Sequence, residues 1–68
     1  MGDIRLKNYE KLTLERKRKN LSYEDMARIL GISTTYYWQI ENMKRRLFYD
    51  LAVQIAKVFE LKPDDLFF

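Results

Sequence analysis

The sequence contains no cysteine and no histidine among its 68 residues. These absences exclude disulfide bonds, Cys or His zinc sites and a histidine general base. The acidic residues are scattered, apart from the pairs Glu24-Asp25 and Asp64-Asp65, which suit the first turns of helices. We therefore expect no catalytic centre, no metal site and no cofactor.

The sequence also lacks an apolar run of about 18 residues, the length that suggests a membrane-spanning helix. Its N-terminal stretch, MGDIRLKNYEK, lacks the apolar segment of a signal peptide. We expect a cytoplasmic protein with no membrane partner. So short a chain predicts a single domain, residues 1–68, whose small core leaves room for one surface site.

Positive charge is concentrated in two places, although the formal net charge is only +3. Of 13 Lys and Arg residues, four lie in Arg16–Lys19 and three in Lys44–Arg46. One such run alone is ordinary solvated surface. Two runs that flank a pair of predicted helices indicate a polyanionic partner.

The first predicted helix runs from about Asn8 to Lys19. This stretch has no glycine or proline and is rich in residues that favour helices. Leu12 and Arg16 lie one turn apart on one face of it. Asn20 is a suitable left-handed stop after the helix.

Two further helices follow at helix-turn-helix spacing. Ser22 and Asp25 form a capping-box pattern that opens a helix over Tyr23–Leu30, and the glycine after it suits a C-terminal stop. Ser33 then caps a third helix over Thr34–Glu41. Because the connection is so short, we expect the two helices to cross steeply.

The C-terminal third predicts a fourth helix from about Tyr49 to Phe59 and a short fifth helix from Pro63. Proline at a first helical position and acids in the first turn mark the last start. The apolar face of the fourth helix is predicted to contain Tyr49, Ala52, Val53, Ala56 and Phe59. No strand pattern occurs, so the expected fold is all-α with five short helices.

The ordered set of motifs resembles the phage repressor and Cro class of helix-turn-helix regulators, the XRE-like family. The resemblance covers residues 12–67 without a gap. It rests on LS followed by EDMA at 21–27, LGIS at 30–33, YYWQIEN at 36–42, KRR at 44–46, IAKVF at 55–59 and DDLF at 64–67. It implies a compact lambda-repressor-like domain that binds double-stranded DNA, with helix 3 in the major groove.

The resemblance also implies which residues of helix 3 meet DNA. Thr34, Thr35 and Gln39 match base-reading positions, where glutamine can pair with adenine and the threonine methyl can touch the thymine methyl. Ser33 matches a cap that also touches phosphate. Tyr36 and Trp38 are possible DNA contacts, with core or edge packing as the alternative.

Contacts to the DNA backbone are expected at the start of helix 2 and in the loop after helix 3. The matching residues are Tyr23, Asn42, Lys44, Arg45 and Arg46. The chain departs from the family at several of these places: relatives have glutamine at position 23 and glycine at positions 43 and 60. With Met43 and Glu60 there, we expect Asn42 to supply the left-handed turn. Phe48 stands where a serine cap is common.

Two structural expectations complete the sequence analysis. Arg16 and Glu41 match positions that form an ion pair between helices 1 and 3. Apolar residues beyond the predicted core stripe of helix 4 indicate a dimer interface on DNA, which would match a two-fold symmetric operator. The interface residues would be Leu51, Ile55, Val58 and Phe68. The alternative is that Leu51 and Val58 are covered by the C-terminal tail of their own chain or are isolated surface residues.

The expected function is a sequence-specific transcriptional regulator, a repressor of the phage or mobile-element type. The alternative is a protein-interaction module, such as an antitoxin-like partner, that keeps the fold and uses the apolar surface of helices 4 and 5. An enzyme is not expected, because no nucleophile with a base and no phosphate-binding loop occurs.

Overall fold

The computed structural model describes the backbone of residues 3–67 and the side chains of residues 9–67. Over this range the chain is all-helical, without strands, which confirms the predicted fold class. No helix in the described part is long and apolar enough to cross a membrane. The five helices are α1 (Asp3–Arg18), α2 (Tyr23–Leu30), α3 (Thr34–Glu41), α4 (Tyr49–Val58) and α5 (Pro63–Phe67).

Side-chain caps begin the two central helices, as predicted. The hydroxyl of Ser22 accepts a hydrogen bond from the Asp25 amide at 3.0 Å, and the Asp25 carboxylate accepts one from the Ser22 amide at 2.9 Å. The hydroxyl of Ser33 accepts from the Tyr36 amide at 3.0 Å. Each cap satisfies a backbone donor that the first turn leaves without a partner. In contrast, Phe48 precedes α4 without a side-chain cap bond.

The first four helices all end in the same left-handed stop. Each helix is followed by a residue with a positive φ. The amide of the residue after it donates to the carbonyl five residues earlier in the chain, which is the Schellman pattern. Gly31 fills this position after α2, with φ of 73°. The other three stops use non-glycine residues, namely Asn20, Met43 and Glu60.

The left-handed turn after α3 corrects one sequence expectation. Asn42 has φ of −94°, whereas Met43 has φ of 60°. Met43 therefore makes the turn itself, and Asn42 is the C-cap. The Schellman bonds fix this location: the Lys44 amide donates to the Gln39 carbonyl at 2.7 Å, and the Met43 amide donates to the Ile40 carbonyl at 3.1 Å.

One core joins all five helices. α2 packs against α3, while α1 contacts both α3 and α5, and α5 also packs on α4. Six large side chains are fully enclosed, and burying each large apolar side chain stabilises the fold by about 1.5–3 kcal/mol. The six are Leu12, Met26, Tyr37, Ile40, Ile55 and Leu66.

The face that α4 turns to the core matches the prediction only in part. Ala52, Ala56 and Phe59 are buried as expected. Tyr49 was expected in the core, but it is 67% exposed at the first position of the helix. Ile55 was expected on the outer surface, but its exposure is 0%. The buried residues of α4 are Ala52, Ile55 and Ala56, which lie on one face because Ile55 and Ala56 follow Ala52 by three and four positions. The buried face is therefore rotated about the helix axis toward Ile55.

Candidate nucleic-acid interface

The outer face of α3 begins with three small hydroxyl side chains. Ser33 is exposed at the cap, and Thr34 and Thr35 are exposed in the first turn. On the opposite face, Tyr37 and Ile40 are fully buried against the rest of the fold. The helix therefore has a buried face and an exposed face, and the exposed face begins with hydroxyl side chains at the N-terminus of the helix.

Gln39 lies one turn further along this face and is held by a residue from the following loop. Its Oε1 accepts a hydrogen bond from Arg45 Nε at 2.9 Å. The Arg45 guanidinium also lies over the Tyr36 ring, 4.9 Å from the centroid. Tyr36 and Gln39 are half-buried and Arg45 is exposed, so the three side chains form one cluster at the surface.

The basic loop after α3 is exposed throughout. Lys44, Arg45 and Arg46 are all open to solvent, and the Arg46 guanidinium lies 5.9 Å from the ring centroid of Phe48. Asn42 donates from Nδ2 to the Trp38 carbonyl at 2.9 Å, and this carbonyl also accepts the Asn42 backbone amide at 3.0 Å. Trp38 itself remains 41% exposed.

Tyr23, at the first position of α2, contacts two side chains of the interior. Its ring receives the Arg16 guanidinium at 4.5 Å from the centroid, and its centroid lies 6.1 Å from that of Tyr37. A cation over a ring face is an attractive arrangement. The side chain is half-buried, so this start of α2 is tied to residues of the interior.

A buried polar network lies beneath the outer face of α3. Arg16 Nε is 2.9 Å from Glu41 Oε1, and Arg16 Nη2 is 3.0 Å from Oε2. The Tyr37 hydroxyl donates to Glu41 Oε1 at 2.6 Å, and the Thr13 hydroxyl donates to Oε2 at 3.0 Å. Arg16 Nη1 donates to the Leu21 carbonyl at 2.7 Å. The carboxylate thus binds donors from both α1 and α3.

Burial and charge in this network act on its titratable groups. Burial raises the pKa of Tyr37, and its hydrogen bond to the Glu41 carboxylate raises that pKa further. For Arg16, burial alone would lower the pKa, but the bond and the charge of Glu41 outweigh burial and raise the pKa. Arg16 therefore stays cationic and Tyr37 stays a neutral donor, so the network fixes α3 against α1.

A helix-turn-helix family model matches residues 12–66, which is most of the chain. The chain belongs to the helix-turn-helix family. No curated protein and no solved structure matches it in the corresponding comparisons. The matched family is that of XRE-type regulators, so this helix-turn-helix protein is a DNA-binding regulator and its partner is double-stranded DNA.

The surface predicted for pairing two helix-turn-helix protomers must be corrected. Ile55 is completely buried in the core of its own chain, so it cannot contact a second chain. Leu51 and Val58 are half-buried and pack on that core. Phe68 lies outside the described residues. The most exposed apolar side chains near α4 are Phe48 at 60% and Tyr49 at 67%.

Several contacts of the helix-turn-helix surface were not predicted from sequence. Thr13 is three residues before Arg16, so its place on the same face of α1 could have been read from helical spacing. Tyr36 is three residues before Gln39 and shares its face for the same reason. The bond from Arg45 to Gln39 depends on the path of the loop, which no local sequence motif defines.

Proposed function

We propose that the protein is a sequence-specific repressor of the phage or mobile-element type, which reads the major groove with α3 and acts by covering a promoter. The observation that carries the proposal is the exposed first turn of α3. Thr34 and Thr35 project from it, while Tyr37 and Ile40 on the other face are buried. Such a helix presents its N-terminal side chains to base edges.

Three residues are proposed to read bases. Gln39 can pair with adenine through its amide, and the hydroxyls and methyls of Thr34 and Thr35 can meet several bases and the thymine methyl. Trp38 is exposed on the same helix and is proposed to pack against sugar or a thymine methyl. Tyr36 is covered by the Arg45 guanidinium, which supports a role in holding that side chain.

Other residues are proposed to fix the register on the duplex without reading it. Lys44 and Arg46 are exposed cations in the loop next to α3, and Ser33 lies at its N-terminus, where helix amides favour an anion. Asn42 already donates to the Trp38 carbonyl, and the Tyr23 ring already contacts the Arg16 guanidinium. Their proposed phosphate contacts would therefore use only the remaining Asn42 hydrogen and the Tyr23 hydroxyl.

We further propose that two protomers bind a two-fold symmetric operator. One recognition helix reads only a few base pairs, and paired helices about 34 Å apart read two half-sites on one face of the duplex. The exposed parts of Leu51 and Val58 would contribute to the contact, with Phe48 preceding them on the chain. Such a patch is smaller than the roughly 1,200 Å² of a stable interface, so dimerisation would depend on DNA.

A protein-interaction role is the second candidate. It relied on an apolar surface of α4 and α5, but most apolar residues of these helices lie in the core. The exposed aromatic residues Phe48 and Tyr49 are what remains to support it. If the protein binds DNA with sequence preference, protein interaction is not its main function.

Selection of bound sequences from a random duplex pool is the decisive experiment. The proposal expects a two-fold symmetric consensus whose half-sites are separated by one helical turn. Titration against the consensus and against random duplex at rising salt then separates specific from general affinity. A pool that yields no consensus, with equal affinity for all duplexes, would reject sequence-specific regulation.

Arg46 provides the matched control for these titrations. As an exposed phosphate contact, Arg46→Ala should weaken binding to the consensus and to random duplex by the same factor. It should also reduce the slope of affinity against salt by about one unit. A change in base preference would instead place Arg46 among the reading residues.

A further inference from the structure

Arg45 was expected to be a phosphate contact, but its geometry couples it to the residue proposed to read bases. The guanidinium Nε–H donates to Gln39 Oε1 at 2.9 Å, and the guanidinium carbon lies over the Tyr36 ring, 4.9 Å from its centroid. Its near neighbour Arg46 instead lies by Phe48. The two arginines of one loop are therefore held in different places.

The bond to Arg45 removes an ambiguity of the Gln39 side chain. A glutamine amide has an acceptor oxygen and a donor nitrogen of nearly equal size, so its two flipped orientations offer opposite patterns to a base edge. A guanidinium has only donors, and a flipped amide would place its NH₂ group against the Arg45 Nε–H. The contact therefore selects the orientation with Oε1 toward the loop.

In this orientation, the Gln39 amide keeps what base reading requires. Both Nε2 hydrogens remain, and Oε1 retains a second lone pair, so the amide can still donate to a purine N7 and accept from an adenine N6. The Arg45 side chain is pinned on a ring that belongs to α3, the same helix as Gln39. Orientation of the amide is thus built into the free protein.

We propose that Arg45 is a positioning residue for base reading: it orients the Gln39 amide and so determines the base preference at the pair that Gln39 contacts. The inference rests on the proposed reading of DNA by α3. It assigns the orientation of a side chain on α3 to a residue of the loop that follows this helix.

The charge-conserving variant Arg45→Lys separates positioning from anchoring. Lysine keeps the positive charge that attracts phosphate, but it lacks the guanidinium that lies over the Tyr36 ring and the Nε–H that donates to Gln39. Arg46→Lys is the matched control in the same loop. Both side chains are exposed, and melting temperatures would verify that neither variant alters the fold.

The measurement is binding to the selected consensus and to duplexes with single base-pair changes. Gln39→Ala first identifies the base pair whose preference depends on Gln39, where wild type should discriminate by about 5- to 150-fold. Arg45→Lys should lose most of that discrimination at that base pair and keep its affinity for random duplex. Adding Arg45→Lys to Gln39→Ala should remove no further discrimination.

Two contrary outcomes are distinguishable. If Arg45→Lys keeps the full wild-type discrimination, as Arg46→Lys is expected to do, Arg45 is an anchor and this inference is wrong while the proposed function stands. If wild type itself prefers no duplex, the proposed reading of DNA fails, and the inference fails with it.

Discussion

The substitution Glu41→Ala tests whether the buried network beneath α3 stabilises the protein. Glu41 accepts hydrogen bonds from Arg16, Tyr37 and Thr13, and the side chains of Arg16 and Glu41 are only 8% and 2% exposed. Truncation would leave the Arg16 guanidinium buried without its counter-charge. It would also leave the Tyr37 hydroxyl, which is enclosed by the core, without its acceptor.

These losses set the expected magnitude. Removing one partner of a buried ion pair costs about 3–5 kcal/mol, because the remaining charge stays desolvated. A domain of this size is stable by only about 3–10 kcal/mol in total. At roughly 4–8 °C per kcal/mol for small domains, the melting temperature should fall by at least about 12 °C. Glu41→Ala therefore removes a large part of the stability of the fold.

Thermal and urea unfolding followed by circular dichroism would measure the effect. Glu41→Gln is the informative intermediate, because the amide keeps an acceptor for Tyr37 but loses the charge, so its cost should be smaller. Glu10→Ala, on the exposed surface of α1, is the control and should change stability by less than about 0.5 kcal/mol. If Glu41→Ala melts at the wild-type temperature, the reasoning about the buried pair is refuted.

Three further predictions follow from other parts of the structure. Hydrogen bonds from the Ser22 amide, the Ser22 hydroxyl and Arg28 hold the pKa of Asp25 below its ordinary value of 3.8. This stabilisation is present above pH 3.8 and is lost as the pH falls through the folded pKa of Asp25. Asp25→Asn should therefore reduce the fall in melting temperature between about pH 6 and pH 2. An equal fall in the variant and in wild type would contradict this prediction. Val58→Glu, at a half-buried position, should weaken binding to a two-site operator in sedimentation with and without DNA, and circular dichroism would verify that the variant remains folded. One protomer per operator at saturation would reject the dimer. Gly31→Ala should destabilise the protein by about 1–2 kcal/mol in urea unfolding, because an alanine at φ of 73° is strained although no atom lies near the added methyl group. An unchanged unfolding midpoint would show that alanine adopts this φ without strain.

The central helices could be predicted to the residue because local chemistry defines their ends. The caps Ser22 and Ser33 and the left-handed Gly31 act within one turn of the chain, so their signals are present in sequence. The start of α1 carries no such signal. The helix begins at Asp3, five residues before the predicted Asn8. The prediction missed this start because no cap motif marks it in the sequence.

The errors at α4 have a different physical origin. Its sequence is apolar on more than one face, so helical period alone did not define the rotation about the helix axis. Packing against α5 and the rest of the core decides it, and this places Ile55 inside and Tyr49 outside. The bond between Arg45 and Gln39 was missed for a related reason, since it joins a helix to a loop whose direction depends on the stop at Met43.

The left-handed conformation of Met43 affects the conformational entropy that the basic loop, Lys44–Arg46, loses when the protein binds DNA. A glycine at this position would let the backbone sample many conformations, and binding would have to restrict them. Methionine has a narrower range of backbone conformations than glycine, and the 2.7 Å bond from the Lys44 amide to the Gln39 carbonyl closes the turn at the positive φ of Met43. The strain of a positive φ is thus carried in the free protein, and the conformational entropy lost on binding should be correspondingly smaller.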